Sequence, residues 1–182
     1  MSEQPPVARP PFVAVIGDGD PRGPDAHRLL EWAEEVGQYL ARGNAVVVTG
    51  GLGGVMRAAS RGAVSAGGET IGILPGTDPS EANEFVRTAI ATGLGVMRNL
   101  VVVTSAAAVI AIGGKHGTLS EIGLALRMGR SVVTLSSWRV ESDHRLGGPR
   151  VHRAHDPREA AALALRLAKE VQAAGSTSSD LA

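Results

Sequence analysis

The chain has 182 residues, 43% of them apolar and 20% charged, which is enough for one domain with its own hydrophobic core and too apolar for a disordered chain. Lys+Arg and Asp+Glu balance at 18 each, so no basic field marks a nucleic-acid or membrane-surface protein. There is no cysteine, which excludes disulfides, thiolate metal ligands and cysteine nucleophiles.

The opening residues 1–10 are proline-rich and polar, with no apolar signal-peptide core, and read as a disordered tail. The last eight (GSTSSDLA, 175–182) read the same way, leaving one domain over 11–174. No apolar run is long enough to span a membrane, so a cytoplasmic location is the default expectation.

Within the domain, FVAVIG (12–17) predicts a first strand. Leu29, Leu30, Ala33, Val36 and Leu40 then recur at helical spacing, and Gly43 closes that helix. AVVVTG (45–50) is a second strand, followed by a helix over 54–66 that ends at Gly67-Gly68. ETIGILPG (69–76) is a third strand, stopped by Pro75-Gly76; FVRTAIAT (85–92) and RVHRA (150–154) are candidate extra strands. AAAVIAIG (106–113) and SVVTL (131–135) flank a helix over 118–128, and Leu163, Leu167 and Val171 mark a terminal helix after Pro157. NLVVVTSAAAVIAIG holds two β-branched clusters, and local propensity makes both of them strands.

Continuous Val/Ile runs without alternation belong to strands buried on both faces. Repeated β-α-β order predicts a Rossmann-like, doubly wound α/β domain, with a mostly parallel sheet and helices on both faces.

Ligands in such sheets bind beyond the carboxyl ends of the strands, and three of those ends are glycine-rich. They are Gly17-Asp18-Gly19-Asp20, Gly50-Gly51-Leu52-Gly53-Gly54 and Gly113-Gly114-Lys115-His116-Gly117-Thr118. Glycine lets backbone approach a phosphate, and a following helix offers unpaired N–H groups and a positive dipole end. The bland alternative is a tight strand–helix turn, which also wants glycine. None of the loops is a G-x-G-x-x-G or Walker A sequence, so a dehydrogenase or P-loop NTPase is not indicated.

Two roles are open to Lys115: a point charge on a phosphate, or a solvated loop lysine. Thr118-Leu119-Ser120-Glu121 fits a capping box, which would make Glu121 structural; beside a phosphate loop it could instead be a catalytic carboxylate. Arg98 follows the Gly93-Leu94-Gly95 break and is either presented to the cleft or exposed at the surface. His152 and His155 have no third partner in the sequence, so no metal site is expected.

Four motifs together resemble a known family: TGGLGGVMRAASRGA (49–63), GILPG (72–76), MRN (97–99) and GGKHGTLSE (113–121). In this order and spacing they are similar to the LOG (Lonely guy) superfamily, and most of all to its branch related to molybdenum-cofactor carrier proteins. The resemblance spans residues 12–135 and the terminal helix. It implies a Rossmann-like homodimer and makes residues 96–105 helical, against their local propensity.

The best-understood members are phosphoribohydrolases, which split a cytokinin nucleoside 5′-monophosphate into free base and ribose 5-phosphate without a required cofactor. Their P-G-G-x-G-T-x-x-E signature places its glutamate on Glu121, its threonine on Thr118 and its last glycine on Gly117, with the paired arginine on Arg98. Met97, of the MRN motif, joins Gly17, Gly50, Gly51, Gly53, Gly54, Gly113, Gly114, Lys115 and His116 as candidate phosphate or nucleotide contacts. Breaking an N-glycosidic bond builds positive charge on the ribose, which a carboxylate stabilises while the arginine holds the phosphate side.

The chain departs from that signature. Gly113-Gly114-Lys115 replaces Pro-Gly-Gly, Arg98-Asn99 replaces the usual Arg-Lys, and Asp18 and Asp20 put acid where a phosphate would be repelled. Two functions follow: a nucleoside 5′-monophosphate phosphoribohydrolase with Arg98 and Glu121 catalytic, or a non-catalytic carrier of a nucleotide, a phosphate or the molybdenum cofactor. The partner is a small nucleotide-like molecule in either case. Single-stranded nucleic acid is disfavoured by the few aromatics and the zero net charge.

Overall fold

The apolar runs pair side by side, all pointing the same way. The computed structural model describes residues 9–141 and 147–179. In chain order its elements are β1 (Phe12–Gly17), α1 (Ala26–Arg42), β2 (Val46–Thr49), α2 (Gly54–Ser65), β3 (Thr70–Leu74), β4 (Thr88–Ala91), α3 (Arg98–Ser105), β5 (Ala108–Ile112), α4 (His116–Arg127), β6 (Ser131–Leu135), β7 (Val151–Ala154) and α5 (Pro157–Ser179). Two 3-10 turns, Pro79–Glu81 and Gly95–Met97, sit in the connections around β4.

The sheet has seven strands in the order β4-β3-β2-β1-β5-β6-β7, and every pairing is parallel. Both candidate extra strands are present, and they form the two edges. Successive residues of each central strand face opposite layers. Val13, Val15, Val47, Ile110 and Ile112 pack with α1, α2 and α5. Ala14, Ile16, Val48, Val109 and Ala111 pack with α3 and α4. Every residue of β2 and β5 is buried, so these strands have no polar face to show in the sequence.

Local propensity fails at residues 98–105. The chain must return from edge strand β4 to β5, beside β1, and a parallel crossover is made by a helix. Burial of Val102 and Val103 against the sheet outweighs the β preference of the valines. Thr104 and Ser105 then donate their hydroxyls back to the carbonyls of Leu100 and Val101, at 2.7 and 2.6 Å, where the helix ends.

Two boundaries differ from the sequence reading. Helix α4 starts at His116 rather than 118, because Gly113 and Gly114 take φ of +55° and +97° and turn the chain into the helix early. Helix α5 runs to Ser179, past residue 174: its alanine-rich stretch carries it through Gly175, with no proline to stop it. Residues 1–8 and 180–182 of the expected tails lie outside the described residues. No helix among the described residues is long and apolar enough to cross a membrane.

Candidate functional site

The sheet order reverses at β1, which sends one connection towards β2 and receives β5 on its other side. That switch point is where open α/β sheets leave a crevice beyond their carboxyl ends. Here the crevice is a cleft of about 210 Å³. Its lining comes from Gly17, Asp18 and Gly19 after β1, Gly50 after β2, Arg98 and Asn99 of α3, and Lys115, Gly117, Thr118 and Glu121 around the start of α4.

Arg98 is buried, 8% exposed. Its Nη1 donates to Asn99 Oδ1 at 2.5 Å, while its Nε is buried without a partner. The guanidinium lies against the Cα of Gly50, where any Cβ would overlap it. Gly50 is therefore a glycine because Arg98 needs the space. Burial pulls the Arg98 guanidinium below its ordinary value, and the negative charge of Glu121 opposes that shift.

Glu121 is 7% exposed and belongs to the second turn of α4, one helical turn beyond Thr118. The capping box is not formed: the N-cap is Lys115, which is extended, and no side chain caps the helix. Starting the helix at His116 moves Thr118 inside its first turn and frees Glu121 to face the cleft. Burial pushes the Glu121 carboxyl up to about 7, with Arg98 pulling the other way. An ion pair in direct contact would have held it low.

Lys115 is neither free nor merely solvated. Its Nζ lies 2.9 Å from Asp18 Oδ2, across the mouth of the cleft. Burial works to raise the Asp18 carboxyl, but the hydrogen bonds from Lys115 and the Asp20 N–H, with the charges of Lys115 and Arg22, hold it below the ordinary value. Asp20 is itself paired with Arg22 at 2.5 Å. The acidic loop after β1 is thus largely compensated within the protein.

Seven of the sequence-predicted residues line this cleft together: Gly17, Gly50, Arg98, Lys115, Gly117, Thr118 and Glu121. Gly113 and Gly114 line a neighbouring groove instead. Gly51, buried, and Gly53 and Gly54, half-buried, shape the turn into α2 outside the cleft, and His116 is exposed beside Trp138, ring centroids 5.7 Å apart. Met97 is 64% exposed on its 3-10 turn and does not line the cleft.

Other residues were not singled out from the sequence. Met56 lines the cleft, with its sulfur 3.9 Å from Arg98 Nη2. Asn83 donates its amide to the carbonyls of Gly51 and Leu52 at 3.0 and 2.9 Å, fixing the loop after β2 from outside. Trp138 donates its indole N–H to the Lys115 carbonyl at 3.1 Å. An Asn thirty residues downstream of a glycine loop gives no local signal of that contact. Among the described residues, no three His, Cys, Asp or Glu side chains gather as a metal site.

A buried arginine with an unpaired N–H, an uncapped helix start and a glycine floor at a sheet switch point are groups of the kind that anion sites are built from. The SLOG cluster4 family model matches residues 10–161. This chain belongs to the SLOG cluster4 family. It is 41% identical over 123 residues to an uncharacterized protein of Archaeoglobus fulgidus, covering 68% of this chain and 78% of that one. A molybdenum cofactor binding protein from the phototrophic bacterium Rippkaea orientalis superimposes with TM-score 0.74 at 37% identity, covering 86% of this chain and 96% of that one. The molybdenum cofactor carrier protein of Chlamydomonas reinhardtii gives TM-score 0.73 at 33% identity, covering 87% and 98%.

Proposed function

We propose that this SLOG protein binds a small phosphate-bearing, ring-containing molecule of the molybdenum-cofactor or nucleotide type, and carries it without turning it over. The observation that carries the reading is Arg98: a buried guanidinium with an unpaired Nε, lining the same cleft as the start of α4. A buried donor left unpaired costs free energy that an anionic oxygen in the cleft would recover. The cofactor's organic part offers a phosphate, and the cofactor-binding and carrier proteins with this fold and length support that class of ligand.

Burial pushes the Glu121 carboxyl up to about 7, which suits a proton donor or acceptor as well as a neutral binding group, so carriage rests on Arg98 and on the carrier relatives and not on Glu121. A bound phosphate dianion would push it further towards the neutral form. Lys115, already paired with Asp18, adds no free positive charge for a leaving group.

Isothermal calorimetry with molybdopterin-type and nucleoside 5′-phosphate ligands tests the reading. Arg98→Met should lower affinity by roughly 10- to 100-fold, as for other hydrogen bonds to charged groups. Unchanged affinity in that variant would overturn it.

A second reading, the phosphoribohydrolase, is favoured by one observation: the Arg98 and Glu121 expected of that activity do face the same cleft. Release of ribose 5-phosphate from nucleoside 5′-monophosphates, abolished in Glu121→Gln, would replace carriage with catalysis. The homodimer implied by the resemblance would use the exposed Leu94, Val96 and Met97, beside α3. Val96→Asp should then shift the species in sedimentation velocity to a monomer.

A further inference from the structure

Beside the phosphate cleft lies a second, open groove of about 440 Å³. Asp18 lines both, so the two adjoin at that residue. The groove's glycines, Gly113 and Gly114, take positive φ and bring no side chain over their backbone. Leu29 of α1 comes up against Gly113 on one side, where a Cβ would meet its Cδ1 at 2.8 Å. Trp138 supplies a half-buried aromatic ring to the same groove.

The Trp138 ring is positioned, not incidental. Its N–H is anchored on the Lys115 carbonyl at 3.1 Å, within the loop that begins α4. Ser137 donates its hydroxyl to the Gly113 carbonyl, tying the end of β6 to the same loop. Between β6 and these contacts the chain passes through Ser136 at φ +48°, a left-handed conformation that L side chains rarely adopt. Backbone strain of this kind clusters at ligand clamps and active sites.

The two compartments differ in their free cations. The cleft holds the buried Arg98 and the α4 N-terminus, beside Glu121. Among the described lining residues of the groove the one cation, Arg22, is paired with Asp20, and the carboxylates of Asp18 and Asp25 are paired with Lys115 and Arg28. The groove therefore adds no free positive charge for an anion, while the carboxylate of Asp18 suits a ring carrying N–H donors.

Resting on the carrier reading above, we propose that the groove is the ring subsite of the same ligand. Trp138 stacks on a planar heterocycle, and Asp18 accepts from its N–H donors, while the phosphate reaches Arg98. The chemistry matches a 2-amino-4-oxopyrimidine ring, common to pterin and guanine, which offers adjacent ring N–H and amino donors. Asp18 has lone pairs to spare, since Asp20 N–H and Lys115 Nζ occupy one site on each oxygen.

The sequence holds two tryptophans, Trp32 and Trp138, so a Trp32→Phe background leaves Trp138 as the sole reporter. In that background, neopterin 3′-phosphate and GMP should quench the emission. Ribose 5-phosphate should bind by calorimetry without quenching. Trp138→Ala should weaken the ring-bearing ligands by roughly 10-fold or more, as stacking on an aromatic does, and leave ribose 5-phosphate unchanged. Trp138→Phe should restore most of the loss, which separates stacking from damage to the fold.

Asp18→Asn should erase the preference for GMP over IMP, which lacks the amino group. The tighter of neopterin phosphate and GMP identifies the ring source. If the ring-bearing ligands bind with no quenching, and with equal affinity in Trp138→Ala, the ring lies elsewhere and the subsite is wrong, while the phosphate cleft stands. If no ligand binds, ribose 5-phosphate included, the carrier reading fails and the subsite with it.

Discussion

The glycine loop after β2 and the one after β5 look alike in sequence, and the protein uses them in opposite ways. The first is filled from all sides. Arg98 occupies the space above Gly50, Asn83 holds the carbonyls of Gly51 and Leu52, and Gly54 is pressed against the backbone of Asp18 and Gly19. The second is packed only at its start, where Gly113 and Gly114 lie against Leu29 and Thr118, and is open beyond: Lys115, His116 and Gly117 are exposed, and nothing approaches within 4 Å of a Cβ at Gly117. Glycine in the first loop serves packing, whereas Gly117 leaves room for a ligand. A cluster of glycines alone cannot tell these uses apart, because both need backbone with no side chain.

Gly54→Ala breaks the comparison most severely. Its φ is +58°, and an added Cβ would overlap the Asp18 carbonyl, with the Gly19 carbonyl carbon at 2.5 Å. Both obstacles are backbone and cannot swing aside. A loss of about 3–5 kcal/mol, or failure to fold, is expected in urea denaturation, in line with other substitutions that strain a fixed backbone. A loss under ~1 kcal/mol would mean that the loop after β2 is as pliant as its counterpart.

Much of this was legible in the sequence, for identifiable reasons. The central strands were visible because two-sided burial writes uninterrupted Val/Ile/Ala runs, as in VIAI of β5. A mostly parallel sheet follows from the β-α-β alternation, and the cleft from the coincidence of three glycine-rich strand ends. Helix α3 was hidden, since LVVV reads as strand until the crossover to β5 demands a helix; the family resemblance alone pointed to it. The capping box misled because Thr118 and Glu121 have the right spacing for a helix that starts two residues too late. Asp18 read as repulsive since its compensation by Lys115 joins residues on separate loops. Trp138 carried no local signal: its role depends on a left-handed Ser136 and a contact with a distant carbonyl.

Glu121→Gln sharpens the comparison on the open side. The folded carboxyl titrates at about 7 against an ordinary 4.5, so its folded pKa is raised. A raised carboxyl contributes its stabilisation fully below 4.5 and loses it as pH climbs to 7. Above pH 7 the ionised form is a burden to the fold, bounded at about 1.4 kcal/mol per unit by roughly 3 kcal/mol. The glutamine variant should therefore be more stable than wild type at pH 8, by up to that bound, and the gap should shrink towards pH 5. Arg98 loses its nearby negative charge in the variant, which trims the gain. Chemical denaturation at the two pH values measures it; a variant less stable at pH 8 would assign Glu121 to the structure and not to the cleft.

Lys115→Ala should matter less. The lysine side chain is 67% exposed, so solvent screens its pair with Asp18 and the stability cost should stay within about 1 kcal/mol. What changes is charge: Asp18 loses its neutralising partner at the mouth of the cleft. Affinity for a phosphate-bearing ligand should fall, and the fall should lessen as salt is raised. A larger affinity at low salt would mean that the ion pair acts as a barrier the ligand must open.

Gly117→Ala should have the smallest effect on stability and the most direct one on function. Gly117 has ordinary helical geometry at the start of α4, with open space where a Cβ would stand. Alanine is also the better helix former, so thermal unfolding should move little, or upwards. Yet that methyl would project at the mouth of the first-turn N–H groups, where the carrier reading seats a phosphate. Ligand affinity should drop while the fold is untouched. Paired with Gly54→Ala, this gives the two loops opposite responses to the same substitution: one loses its structure and keeps nothing to bind with, the other keeps its structure and loses the ligand. If Gly117→Ala binds as well as wild type, the open turn of α4 is not where the anion sits, and Arg98 must hold it from the far side of the cleft.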